Sequence, residues 1–299
     1  VKNLRRAFTL VELVFVIMIF GIVAAIASEV YAKIYENYLL SRGTNALQTK
    51  TELALEQIAK RLQYRIKSAT IATKPNTSEF VSTADPRLDE NYKIIEWIGY
   101  DDEGFRGTYD TNLNYYKPAW SGFIDVNPST AKLLVTPGSD LNKEDDIIKS
   151  LSDDDANINV AAVIFPESEE GFDIGKFGWY GNQSDYVYDI SPNGATAFRV
   201  TDVYTKPNII FERYKLVWTA YAIAPDPLGC IQDCDLYLYW NYQPWRGGTM
   251  RDATKKSLLA EHVTTFKFRQ EGDVMRLKLC IKGKIVENNV SVCKEKVVF

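Results

Sequence analysis

The chain has 299 residues, 46% hydrophobic, 25% charged and 13% aromatic, with a formal net charge of −4; so ordinary a composition excludes a disordered, collagen-like or wholly coiled-coil protein. The charge is unevenly placed, with 11 Lys/Arg against 5 Asp/Glu in residues 1–74, 16 against 30 in residues 75–262, and 8 against 4 in residues 263–299. The only histidine is His262, which excludes multi-histidine metal sites and routes any histidine-dependent triad through that residue.

Residues 1–7 are short and basic, with Lys2, Arg5 and Arg6, and residues 8–27 form an apolar run broken only by Thr9 and Glu12. Twenty helical residues rise about 30 Å, the thickness of a bilayer's hydrocarbon core. Positive charge before the run and almost none just after it predicts a cytoplasmic N-terminus and an external remainder. Glu12 is the anomaly, because a carboxylate at the centre of such a helix costs about 2.5–3.5 kcal/mol on insertion scales. No basic residue follows within the run. The acid must sit at the lipid interface, be protonated, or meet a cation from another chain.

The string Arg6-Ala7-Phe8-Thr9-Leu10-Val11-Glu12-Leu13 resembles the class III signal of type IV pilins and type II secretion pseudopilins. The resemblance implies that prepilin peptidase cuts between Ala7 and Phe8 and that Phe8 becomes the N-methylated first residue. It also gives Glu12 a partner, the N-terminal amine of a neighbouring subunit, which is largely cationic at neutral pH. The family usually places Gly before the cut, so Ala7 implies slower cleavage. Its largest pseudopilin class typically lacks the acid that Glu12 supplies, and the closing β-region resembles the J-type pseudopilin or W-type minor pilin. An ordinary secretory signal is the competing reading, supported by the small-x-small site Ala25-Ile26-Ala27 before Ser28. It leaves Glu12 unexplained.

After the span the helical period continues with polar spacing to residue 74. Leu55, Ile58, Leu62, Ile66 and Ala69 recur at steps of three and four as one stripe expected to pack on the protein's own sheet, and Val30, Ile34, Tyr35, Tyr38 and Leu39 form a second nearer the membrane. Gly21 and Gly43 predict bends, each costing about 1 kcal/mol relative to Ala. Lys74-Pro75 is the expected end, since a residue before proline is pushed out of the α region.

Residues 75–299 read as β-rich. Leu236, Leu238, Trp240 and Tyr242 alternate with polar or aromatic neighbours, as do Phe266 and Phe268 with Lys267 and Arg269, and Met275, Leu277, Leu279 and Ile281 with Arg276, Lys278, Cys280 and Lys282. These are half-buried antiparallel strands. Crowded turn signals over residues 85–194 predict an elaborated insertion on the sheet. The expected fold is therefore α+β: residues 1–7 a leader, 8–27 the transmembrane half of a long helix, 28–74 its amphipathic half, and 75–299 a β-rich head.

Four cysteines lie beyond the span, where oxidation is permitted. Cys230 and Cys234 bracket a short loop, and a hairpin centred near Val286 and Glu287 would set Cys280 opposite Cys293, so 230–234 with 280–293 is the preferred pairing of three. A four-cysteine zinc site is the alternative, although neither half has the usual two-residue spacing. Asp153-x-Asp155-x-Asn157-x-Asn159 imitates the start of a calcium loop, but Ile158 stands where Gly is needed and Ile164 where the bidentate Glu belongs. A solvated acidic turn is the simpler reading, and no cofactor is expected. Trp240, Tyr242 and Trp245 read mainly as core, with Trp245 and Arg246, past Pro244, the expected exposed pair for a binding surface.

The basic face of Lys267, Arg269, Arg276, Lys278, Lys282 and Lys284 suits docking on an acidic neighbour, while the adjacent acidic block would repel phosphate, so nucleic acid is not an expected partner. No nucleophile motif accompanies His262, and no enzyme is expected. The resulting expectation is a minor pilin or pseudopilin anchored in a bacterial inner membrane with its head in the periplasm, whose partners are prepilin peptidase, membrane lipid and other pilin subunits. The alternative is a membrane-anchored adhesin that never polymerises.

Overall fold

The structure is a computed structural model that describes residues 9–111, 114–166, 173–201, 207–286 and 288–299. Helix α1, Leu10–Leu62, runs without a break for about 80 Å. No proline interrupts it, and Thr9 caps its start by accepting from the Glu12 amide. At each position from 10 to 38 the side chain is exposed. Beyond that the helix is clasped: Leu47, Thr51, Ala54, Leu55, Ile58, Ala59 and Leu62 are buried at steps of three and four.

The helix ends twelve residues before Lys74, a correction to the expected amphipathic half over residues 28–74. Gln63 closes it, and Arg65–Thr73 form strand β1. The β-branched Ile66, Thr70, Ile71 and Thr73 favour the strand. A register irregularity between Arg65 and Thr70 gives Ile66 and Ala69 a burial spacing that imitates a helical period. The predicted five-residue stripe therefore divides. Leu55, Ile58 and Leu62 pack under the helix, while Ile66 and Ala69 belong to a different part of the core.

The remaining elements follow in order: β2 Phe80–Ser82, β3 Ile94–Tyr100, α2 Asp102–Arg106, β4 Thr108–Asp110, β5 Tyr115–Lys117, β6 Asp125–Thr130, β7 Leu133–Val135, α3 Leu141–Ser152, β8 Ala162–Ile164, β9 Tyr188–Pro192 and β10 Ala197–Val200. Then come the long strands β11 Lys215–Asp226, β12 Cys234–Tyr242, β13 Lys255–Glu271, β14 Val274–Ile285 and β15 Asn288–Val298. All pairings are antiparallel. The order β15-β14-β13-β12-β11 forms the large wing, and β11 continues on its other side to β3 and β8. Helix α1 lies across β13, β14 and β15, where its stripe meets Phe268, Met275, Leu277, Leu279 and Ile281. Each fully buried Leu or Ile there contributes about 1.5–3 kcal/mol.

Two glycines mark the closest approach. A Cβ on Gly283 would lie 3.1 Å from Leu47, and one on Gly43 2.7 Å from Ile285. Gly43 is thus a contact point within a continuous helix, not a bend. The elaboration expected over 85–194 begins after Tyr100 in the structure, because β3 is a central strand paired with both β1 and β11. Residues 101–200 supply α2, α3 and β4 to β10 and much of a separate core around Trp120, Leu134, Phe165 and Phe198.

Candidate processing and assembly segment

Ala7 and Phe8, the residues flanking the expected cut, lie outside the described residues. Glu12 Oε2 accepts from both the amide and the hydroxyl of Thr9, each at 3.1 Å, and Thr9 Oγ1 accepts from the Glu12 amide at 3.3 Å. This reciprocal capping box holds the carboxylate at the positive end of the helix dipole. Both bonds fall on Oε2, and among the described residues no cation pairs with Glu12. Its second oxygen has no hydrogen bond among the described residues, and the residue is exposed.

The helix beyond it is apolar on all sides. It is long and apolar enough to cross a membrane, and none of the described residues covers that stretch. The stripe predicted nearer the head is equally bare at Val30, Ile34, Tyr35 and Tyr38, with Leu39 half-buried, beside the exposed pair Lys33–Glu29 at 3.0 Å. Edge strand β15 fixes the clasped half of the helix through Lys294 to Glu52 at 3.6 Å and Lys296 to Glu56. The head and its bare helix are therefore joined by a buried stripe flanked by ion pairs.

The other sequence candidates are scattered over the head. Cys230 is bonded to Cys234, and Cys280 to Cys293, with Cα separations of 5.9 and 4.0 Å. The second bond crosses a directly opposed pair of β14 and β15. Trp245 is a correction: it is 8% exposed, and its Nε1 donates to the Val160 carbonyl at 3.3 Å. Arg246 packs beside it, donating to Asp189 Oδ1 at 2.6 Å and to the Asn159 carbonyl. The turn after Pro244 folds back on the residue 158–160 segment, so this aromatic belongs to the core. Asp153 and Asp155 do converge, on Lys255 Nζ at 3.4 and 3.0 Å. That hydrogen bond holds the Asp155 carboxyl below its ordinary value. His262 Nδ1 lies 2.7 Å from Asp233 Oδ1 on the surface, with a φ of 56° where β13 bends.

Two buried polar groups lie outside the sequence candidates, Glu96 as a single acid in an apolar run and Asp101 with Glu144 as members of acidic runs that read as solvated. Glu96, the one charge in Ile94–Tyr100, is fully buried and accepts from Thr73 Oγ1 at 2.8 Å, Tyr180 OH at 2.5 Å and Tyr242 OH at 2.9 Å. Burial raises its pKa, opposed by those three donors. The network ties β1, β3 and β12 to the segment around Tyr180. Asp101, which caps α2 through the Gly104 amide at 2.7 Å, is sealed against Glu144 of α3. Burial, and for Glu144 the neighbouring Asp101 charge, push both carboxyls upward. Asp101 Oδ1 and both Glu144 oxygens are buried without a hydrogen-bond partner among the described residues, so the two acids form a sealed pair within the fold.

Comparison with known proteins adds one finding. The family described as prokaryotic N-terminal methylation motif matches residues 2–28. No curated protein and no solved structure matches the chain. The match covers the basic segment, the Phe8–Glu12 string and the whole apolar run, and such a motif is a signal for processing and assembly, not for catalysis. The chain carries the type IV pilin-like, prepilin-type methylation motif at the head of its membrane-length helix.

Proposed function

We propose that the protein is a minor pilin or minor pseudopilin, a structural or tip-initiating subunit of a type IV pilus or type II secretion pseudopilus. In this reading residues 8–27 hold the monomer in the inner membrane, with the head in the periplasm, until assembly extracts it. Prepilin peptidase removes residues 1–7 and methylates Phe8. The carboxylate of Glu12 then takes the new amine of a neighbour, which offsets the cost of carrying a carboxylate into an apolar bundle. The head, with its large elaboration over residues 101–200, sets position, since such bulk disfavours uniform stacking along a shaft.

The observation that carries the reading is the two-part helix: a bare apolar half with one acid, continuous with a half locked to the head. Glu12→Ala tests it. An assembly subunit loses incorporation into sheared filaments and keeps its place in the membrane fraction. Unchanged incorporation contradicts the proposal, and a protein never found in filaments is an anchored binding protein instead.

A further inference from the structure

Strand β13 changes partners along its length. Its first half pairs with β12 as far as Cys234↔Val263, and its second half pairs with β14 from Val263↔Ile281 to Glu271↔Val274. The two halves meet at the positive φ of His262 and a register shift between Val263 and Thr265. Beyond Val263 the edge that faced β12 has no strand beside it among the described residues. The Gln270 amide donates away from β14, to the Thr83 carbonyl at 3.1 Å. In an antiparallel ladder every second residue points the same way, so the amides and carbonyls of Phe268 and Phe266 also face away from β14. None of the described residues hydrogen-bonds them on that side.

These groups open into a groove of about 840 Å³ between β13 and the loop that carries Leu88 and Tyr92. The bond to Thr83 closes one end and the pairing of Cys234 with Val263 the other. About six residues of edge remain, some 20 Å of extended chain. Its two sides differ. Phe266 and Phe268 lie on the core face with Leu277 and Leu279, while Lys267 and Arg269 lie opposite Lys278 and Arg276 on the other face. Glu90 reaches across from the far wall to Lys267 at 2.6 Å, showing what chemistry the basic face accepts, and Arg269 has no ion-pair partner among the described residues.

We propose that the β13 edge from Thr264 to Arg269 is a strand-capture site for an extended segment of another protein in which acidic and apolar residues alternate. Backbone groups of Phe266 and Phe268 pair with the incoming strand. Its acidic residues meet Lys267 and Arg269, and its apolar residues cover the Phe266 and Phe268 side. This goes beyond subunit packing through the helix, and it holds whether or not the chain polymerises.

Residue-resolved hydrogen exchange of the full chain in detergent micelles tests it. The probe is the capped peptide Glu-Val-Glu-Val-Glu-Val, with a Lys-Val counterpart and a version N-methylated on alternate amides. The Phe266 and Phe268 amides should exchange freely in the absence of peptide, while those of Lys267 and Arg269, bonded to β14, stay protected. The acidic peptide should slow the first pair about tenfold or more, and N-methylation should abolish the effect. The surface variant Lys267→Glu/Arg269→Glu should switch the preference to the Lys-Val peptide. Phe266 and Phe268 amides already protected in the free monomer, equal effects of acidic and basic peptides, or an unimpaired N-methylated peptide would overturn the proposal. Protection that grows with protein concentration alone assigns the edge to a second copy and overturns it equally.

Discussion

Gly43 of the helix lies directly against Ile285 at the end of β14: a Cβ on the glycine would stand 2.7 Å from Ile285 Cγ2. Four residues on, Leu47 is the first buried residue of the helix, and it meets Gly283 in the same way. The helix passes from clasped to bare at this point. The structural division between head and anchor therefore falls near residue 43, well beyond the end of the membrane-length run.

Filling that contact should loosen the clasp. Gly43→Val removes a helix-disfavouring residue but drives its side chain into Ile285, and overpacking of this kind costs about 1–3 kcal/mol. The denaturation midpoint of the head in detergent should fall. A rise would mean that Ile285 simply moves aside.

The two halves of α1 should respond unequally to truncation. Ile58→Ala leaves a cavity under the helix and should cost about 2–5 kcal/mol in unfolding of the head. Ile17→Ala, on the bare half, should leave that midpoint within about 0.5 kcal/mol. Equal effects would show that the bare half also packs on the head.

The sealed Asp101–Glu144 pair makes stability depend on pH with a definite sign. Both carboxyls are raised in the folded state, so over the interval from the ordinary carboxylate range up to the raised native range the folded chain binds more protons than the unfolded one. Unfolding free energy from this pair therefore falls as pH rises through that interval. Glu144→Gln removes one titrating group and keeps a donor for Asp101. Denaturation midpoints at about pH 4.5 and about pH 7.5 should lie closer together in the variant than in the parent. An unchanged separation would place the pH dependence elsewhere.

Glu96 offers a simpler test. Tyr242→Phe deletes one of its three donors inside the core and should cost about 1–3 kcal/mol. Tyr242→Phe combined with Glu96→Gln should recover part of that loss, because the neutral amide has no charged form to be left short of a donor. A double variant as unstable as the sum of the singles would show that the two residues are not coupled.

The fold class was legible because its signals are local. An unbroken apolar run and a clasped stripe specify the helix, and strict alternation from Met275 to Ile281 specifies half-buried strands. The end of the helix was not legible, since Ile66 and Ala69 keep a helical spacing and only pairing with Trp97 and its neighbours draws the segment into a strand. Trp245 misled for a related reason. A tryptophan after a proline reads as exposed until the distant segment at Val160 is known to lie over it. Glu96 and Asp101–Glu144 were invisible as sites because each depends on partners far away in the chain, Tyr242 and α3 among them.

The N-terminus of the protein recovered from membranes bears most directly on the whole account. Mass spectrometry of its N-terminal peptide should find a chain beginning at N-methylated Phe8, with residues 1–7 absent. A chain beginning at Ser28 would mean that the apolar run is a discarded secretory signal, and would contradict both the anchor and the role assigned to Glu12.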